Sequence, residues 1–137
     1  MTAASNYLEN KVLDHVLTAT TYTAPGTRYL ALFTNTSTAA AANLEAGTLT
    51  DEISTSGTAY VRKTVTFASA SSGTSATNAT VTFDAATASW GSVTHVAVMD
   101  NSTGGNVLFW GAVTTAKTID TGDTFQVTSG NLTISLA

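Results

Sequence analysis

Cysteine is absent from this chain, and proline occurs once, at Pro25. Without thiols there are no disulfides and no thiolate metal sites, so stability has to come from packing and hydrogen bonds. Charge is scarce too. Asp, Glu, Lys and Arg make up 10% of the 137 residues, against about 25% in an average soluble protein. The five basic residues, Lys11, Arg28, Arg62, Lys63 and Lys117, are scattered, and the formal net charge is −4. Binding nucleic acid through phosphates needs clustered Lys and Arg, so no nucleic-acid partner is expected. No run is long and apolar enough to cross a bilayer, and no membrane partner is expected. The first residues also lack the basic start and apolar core of a secretion signal, so assembly in a cytoplasm is the expectation.

What remains is rich in Thr, Ser, Asn, Ala and Gly, with 43% hydrophobic residues. Threonine is β-branched and polar, which suits the wet face of a strand. The length fits one domain over residues 1–137, large enough to bury a core without staples. Residues 5–17 read as a helix. Leu8, Val12, Val16 and Leu17 recur at helical spacing. Ser5 or Asn6 caps it, and Asn6 with Glu9 approximates a capping box. Such a helix reads first as a lid over one end of the core, with a docking arm as the alternative.

The rest reads as strands. Residues 28–33 are continuously apolar from Tyr29, which suggests a central strand covered on both faces. Residues 60–67 form a strand with Tyr60 and Arg62 on one face and Val61 and Val65 on the other. Segments 92–99 and 106–113 form a hairpin about the Gly-rich turn 100–105. In the second arm both faces are apolar: Val107, Phe109 and Gly111 on one, Leu108, Trp110 and Ala112 on the other. One face belongs to the core, and the other needs a cover from helix, loop or neighbouring subunit. Residues 125–128 and 132–136 suggest a second hairpin. Residues 34–58 and 68–78 read as long polar loops, and 84–89 as a connector with one helical turn. Short strands with regular turn signals give a mainly β fold, an antiparallel β-sandwich or barrel-like sandwich with one N-terminal α-helix.

Reactive constellations are hard to find. His95 shares a face with Val93, Ala97 and Met99 by alternation, and no HxH or HExxH spacing accompanies it, so it reads as a structural, hydrogen-bonded histidine. Asp120 and Asp123 flank a turn that lacks the ligands of a calcium loop and suits an Asx-turn. No nucleophile elbow or phosphate loop occurs. The expectation is no catalytic residue, no cofactor and no metal. Phe83, Trp90, Phe109 and Trp110 close the core more readily than they build a sugar platform. The interface expectation falls on the long loop, through Leu44, Leu49, Asp51, Glu52 and Ile53, and on Leu108 and Trp110 of the two-faced strand.

One resemblance spans nearly the whole chain. Trp90-Gly91, Val93-Thr94-His95-Val96-Ala97, Asp100, Thr103-Gly104-Gly105-Asn106 and Leu108-Phe109-Trp110-Gly111 lead on to Lys117-Thr118-Ile119, Gly122-Asp123-Thr124-Phe125 and Leu132-Thr133-Ile134. This series resembles a family of small virion structural proteins of tailed bacteriophages, labelled tail fibre, tail or head decoration proteins. Tyr29–Thr34 and Ala59–Arg62 fit as well. The resemblance implies a non-enzymatic virion protein. The leading expectation is a capsid decoration or cement protein that bridges major capsid protein subunits as a homo-oligomer, with a trimer as first expectation. The alternative is a tail component, whether fibre base, adaptor or host-contact module, with tail proteins as partners; a carbohydrate-binding module ranks third.

Overall fold

The computed structural model describes residues 3–136. In chain order the elements are β1 (Ala3–Ala4), α1 (Asn6–Leu17), β2 (Arg28–Phe33), α2 (Ala40–Glu45), β3 (Lys63–Val65), β4 (Thr74–Ala76), β5 (Val81–Thr82), β6 (Gly91–Met99), β7 (Val107–Ile119), β8 (Gln126–Val127) and β9 (Thr133–Ser135). The main sheet has the order β1-β7-β6-β2-β3, and two further ladders, β4–β9 and β5–β8, are separate. Every ladder is antiparallel. The fold is therefore mainly β and sandwich-like, with one N-terminal helix, as the strand pattern predicts.

The pleat of β2 organises the interior, because successive side chains point to opposite faces. Leu30 and Leu32 join Val96, Val98 and Leu108 in a core that the small ladders cover with Val81, Phe83, Phe125, Leu132 and Ile134. Ala31 and Phe33 join Ala97, Met99 and Val107 on the opposite face, where Leu44 of α2 closes a second core. A strand buried on both faces is the expected reading of a continuous apolar run, and β2 realises it.

Two irregularities shift the β6–β7 register, one between Val93 and His95 and one between Val98 and Met99. A bulge adds residues to one strand and moves every later side chain to the other face. Val93 consequently lies in the larger core with Val96 and Val98, so simple alternation, which puts His95 and Val93 together, fails at Thr94. Leu108 is an extra residue between the pairs Val98–Phe109 and Met99–Val107. Phe109 accordingly packs against the larger core while Val107 belongs to the smaller one, against the sequence expectation of a shared face.

Several other expectations are corrected. Segments 125–128 and 132–136 do not pair with each other: β8 pairs with β5 and β9 with β4. The 68–78 loop contains β4, and the 34–58 loop contains α2. Only Lys63–Val65 of the 60–67 segment forms a strand. Residues 84–89 contain no helical turn. The helix cap is Ser5, whose hydroxyl accepts from Leu8 N at 3.3 Å, rather than a box built on Asn6 and Glu9.

Candidate functional site

Residues 34–58 are held by their own polar side chains. The Asp51 carboxylate accepts from Ser37 N at 3.0 Å and from Ser37 Oγ at 2.5 Å. The Asn35 carboxamide oxygen accepts from Ala40 N at 3.0 Å, at the start of α2. Asp51 is buried, and its carboxyl is held below the ordinary 3.8, first by the Ser37 hydroxyl and against the opposing effect of burial. Leu44 and Ile53 are buried, and Leu49 is half-buried against the smaller core.

Glu52 and Arg62 form the main charged contact of the fold. Arg62 Nε donates to Glu52 Oε1 and Nη2 to Oε2, each at 2.7 Å, a bidentate arrangement. Arg62 Nη1 also donates to the carbonyls of Asn101 at 2.7 Å and Gly104 at 2.8 Å, so the guanidinium clasps the hairpin turn. Burial pulls the guanidinium down, but the Glu52 bonds prevail and its pKa is raised. Tyr60 completes the group. Its hydroxyl donates to Glu52 Oε1 at 2.9 Å and accepts from Leu32 N at 3.0 Å. Burial, then the Glu52 charge, pushes its pKa up. Across the turn, Asp100 accepts from Asn106 N at 2.7 Å and Asn106 Nδ2 at 2.8 Å. Gly105 sits at φ +71°, and a Cβ there would meet Asp100 Oδ1 at 2.4 Å, so this position requires glycine.

The remaining aromatic and histidine groups are also engaged. Trp90 Nε1 donates to Thr58 O at 2.8 Å, and its ring meets Tyr60 edge-on at 5.6 Å between centroids. Trp110 Nε1 donates to Glu45 Oε2 at 2.7 Å, which fastens the end of α2 over β7. His95 Nδ1 lies 2.8 Å from Thr94 Oγ1, and its ring centroid is 6.4 Å from that of Trp110. Burial pushes the imidazole below its ordinary pKa, with the Asp51 charge opposing. Asp123 accepts from Asp120 N at 2.9 Å, a local turn bond that runs back along the chain instead of the forward Asx-turn the sequence suggests. Among the described residues no group of three acidic or histidine side chains is placed to hold a metal, and no helix is long and apolar enough to cross a membrane.

The residues singled out for an interface are thus divided. Leu44, Asp51, Ile53 and Leu108 are buried, Leu49 and Trp110 are half-buried, and Glu52 is tied to Arg62 and Tyr60. The second apolar face of the hairpin arm is covered by α2 from the same chain. Reading along the sequence missed Arg62. Its signal is a lone cation beside a Tyr, opposite a Gly-rich turn whose carbonyls lack strand partners.

The open surface lies elsewhere, on α1. Ser5 anchors its root: Ser5 N donates to Leu108 O at 2.9 Å and Ser5 Oγ to Val107 O. Only Leu8 of the helix is buried. Leu13, Val16 and Leu17 are 54%, 70% and 74% exposed, and every residue from Lys11 to Thr21 is exposed. Thr18 N and Thr20 N both bond Asp14 O, at 3.0 and 3.1 Å, and Tyr22 N donates to His15 Nδ1 at 3.1 Å, so the return chain is folded against the arm. The helix covers its own core only through its first turn, at Leu8 and Tyr7, and the rest of it stands clear of that core.

Comparison with curated proteins finds no match. The family described as Podophage GP4 fiber I protein gp80 matches residues 3–135, from β1 through β9. A match across this whole architecture means that the chain belongs to that family, a fibre-related family of phage virion structural proteins.

Proposed function

We propose that this chain is a non-enzymatic structural part of a podophage tail fibre, working through protein–protein contacts within the virion. The observation that carries the reading is the match over residues 3–135 to a family described as a fibre protein. The internal architecture supports it. Polar groups that would be candidates for chemistry, Glu52, Arg62, Tyr60 and Asp51, are bonded to one another or to backbone, which rigidifies the domain and leaves no convergent reactive set. Tail proteins are the partners in this reading.

Head decoration, with the major capsid protein as partner, is set below it. The matched family is described as a fibre protein, which sets decoration lower. The 34–58 loop, expected to meet either a capsid or a tail subunit, has Leu44, Asp51, Glu52 and Ile53 engaged inside the fold and favours neither position. A carbohydrate-binding role ranks lower again, because Trp90 is buried and the Trp110 indole N–H is bonded to Glu45.

Quantitative gel densitometry of purified particles, together with antibody-gold electron microscopy, tests the position. A tail-fibre part is present in a few to some tens of copies and labels the tail. Copies approaching those of the major capsid protein, spread over the head, would overturn the tail reading and restore the decoration one.

A further inference from the structure

Among the described residues six large hydrophobic side chains are exposed: Val12, Leu13, Val16, Leu17, Val61 and Leu136. Four lie on α1. At 3.6 residues per turn Val12, Leu13, Val16 and Leu17 form one stripe, and Glu9 heads the same face, three residues before Val12 and four before Leu13. The arm is about 18 Å long at 1.5 Å per residue over its 12 residues. The fifth, Leu136, rims an apolar cleft of about 440 Å³ whose walls include Phe67, Leu108, Phe109 and Ile134. Arg28 is the cation of that cleft; its Nη1 bonds the Pro25 carbonyl at 2.9 Å, and no ion pair with it occurs among the described residues. Five of the six exposed large apolar side chains are therefore divided between a convex helix and a concave cleft on the same chain. An acid heads the first, and a cation lines the second.

We propose that the α1 stripe of one copy docks into the Phe67–Phe109–Leu136 cleft of a second copy, with Glu9 brought toward Arg28. An amphipathic helix laid in an apolar groove is a recurrent recognition mode. A chain that carries both halves recognises itself, and apolar shape with opposite charge supplies the match. The arm does not fill its own cleft. Its root is pinned to β7 through Ser5, and its far end is folded back through Thr18, Thr20 and Tyr22. A bilayer is a poorer occupant, because surface-seeking membrane helices carry a Lys- and Arg-rich polar face, and α1 carries Glu9, Asp14 and only Lys11 as a permanent cation. This contact belongs to the isolated chain and holds whether the particle position is tail or head.

Sedimentation velocity and light scattering on the full chain, across a concentration series, test it with two surface variants. Leu13→Asp/Val16→Asp breaks the stripe, and Ala70→Arg/Leu136→Lys blocks the cleft at exposed positions. The wild-type chain is expected to self-associate, and each variant to do so at least about 100-fold more weakly while keeping its circular dichroism. An equimolar mixture of the two variants retains one intact arm and one intact cleft, so it is expected to form a two-chain complex. A wild type that stays monomeric overturns the proposal, including the case where arm variants lose particle incorporation, which assigns the arm to a different virion protein. Association that survives either variant, or a mixture that fails to pair, overturns it as well.

Discussion

The 34–58 segment and the N-terminal helix have exchanged the roles their patterns suggest. The segment is polar and Ala-rich, yet it folds inward: Leu44 and Ile53 are buried, Asp51 is bonded to Ser37, and Glu52 grips Arg62. The helix is amphipathic, yet beyond Leu8 its apolar stripe faces outward. Side chain–backbone bonds can order a polar loop as firmly as strand ladders order a sheet, because each buried partner avoids the cost of an unmade bond. Periodicity reveals that a helix has an apolar face and leaves open which molecule covers it. The loop is sealed within the chain and the helix is available.

Breaking the loop should have the largest effect. Arg62→Met removes the bidentate partner of Glu52 and uncaps the Asn101 and Gly104 carbonyls. Breaking one side of a buried pair typically costs about 3–5 kcal/mol, and that loss is expected in chemical unfolding. A cost below about 1 kcal/mol would mean that the clasp is decoration on a turn already fixed by Asp100 and Gly105. Leu44→Ala follows, at about 2–5 kcal/mol for a cavity under α2. An effect near zero on the unfolding midpoint would show that α2 covers the sheet loosely.

The sequence made the repeating parts of this fold legible. Helix α1, β2 and the β6–β7 hairpin each carry a local signature: helical spacing, an unbroken apolar run, and two apolar segments about a Gly-rich turn. The alternation of Leu132, Ile134 and Leu136 in the last strand holds for the first two, which lie in the core, and fails at Leu136, which is 61% exposed. What stayed hidden depends on distant partners or on single-residue shifts. Strand β4 is three residues of Thr, Ser and Ala whose only argument for being a strand is β9, far along the chain. Helix α2 is short, and its N-cap Ala39 makes no side-chain cap bond, so no start signal marks it. Ala59 adopts φ +61°, next to a segment in which Tyr60 and Arg62 turn inward and Val61 outward. The bulges beside Thr94 and at Leu108 leave no composition mark, and each moves a neighbour to the other face. The open arm was half legible: the apolar spacing was visible, but not that the core takes only Leu8 from the stripe and leaves Val12, Leu13, Val16 and Leu17 outside.

Acid should act on the loop face of the sheet in two stages. The imidazole of His95 is pushed down from 6.5 by burial, so the unfolded chain takes up a proton before the folded one. Its contribution is complete above pH 6.5 and is lost as pH falls through the depressed folded value. Asp51 is held below 3.8, so its contribution is present above that value and is lost only at lower pH, as the folded carboxyl protonates. Unfolding midpoints across a pH series are expected to fall first just below pH 6.5. His95→Gln should remove that first decline, and Asp51→Asn the second. A profile in which His95→Gln leaves the first decline unchanged would assign it to another group.

The smallest effect on the folded monomer is expected where the apolar surface is most exposed. Val16→Ser/Leu17→Ser changes two side chains that are 70% and 74% exposed, and these touch little of the chain's own core. Exposed substitutions away from caps and cores usually stay within about 0.5 kcal/mol, and at dilutions where the wild type is monomeric the two unfolding curves should coincide within that margin. Raising the concentration should separate them. Association that favours the native state makes the melting temperature climb with concentration, so the wild-type midpoint should rise and the variant's should not. The comparison between loop and arm then becomes a single measurement. Arg62→Met lowers the midpoint at every concentration, and the arm variant lowers it only where copies meet. If the arm variant loses stability equally at high dilution, the stripe packs on its own chain, and the division between a sealed loop and an available helix fails.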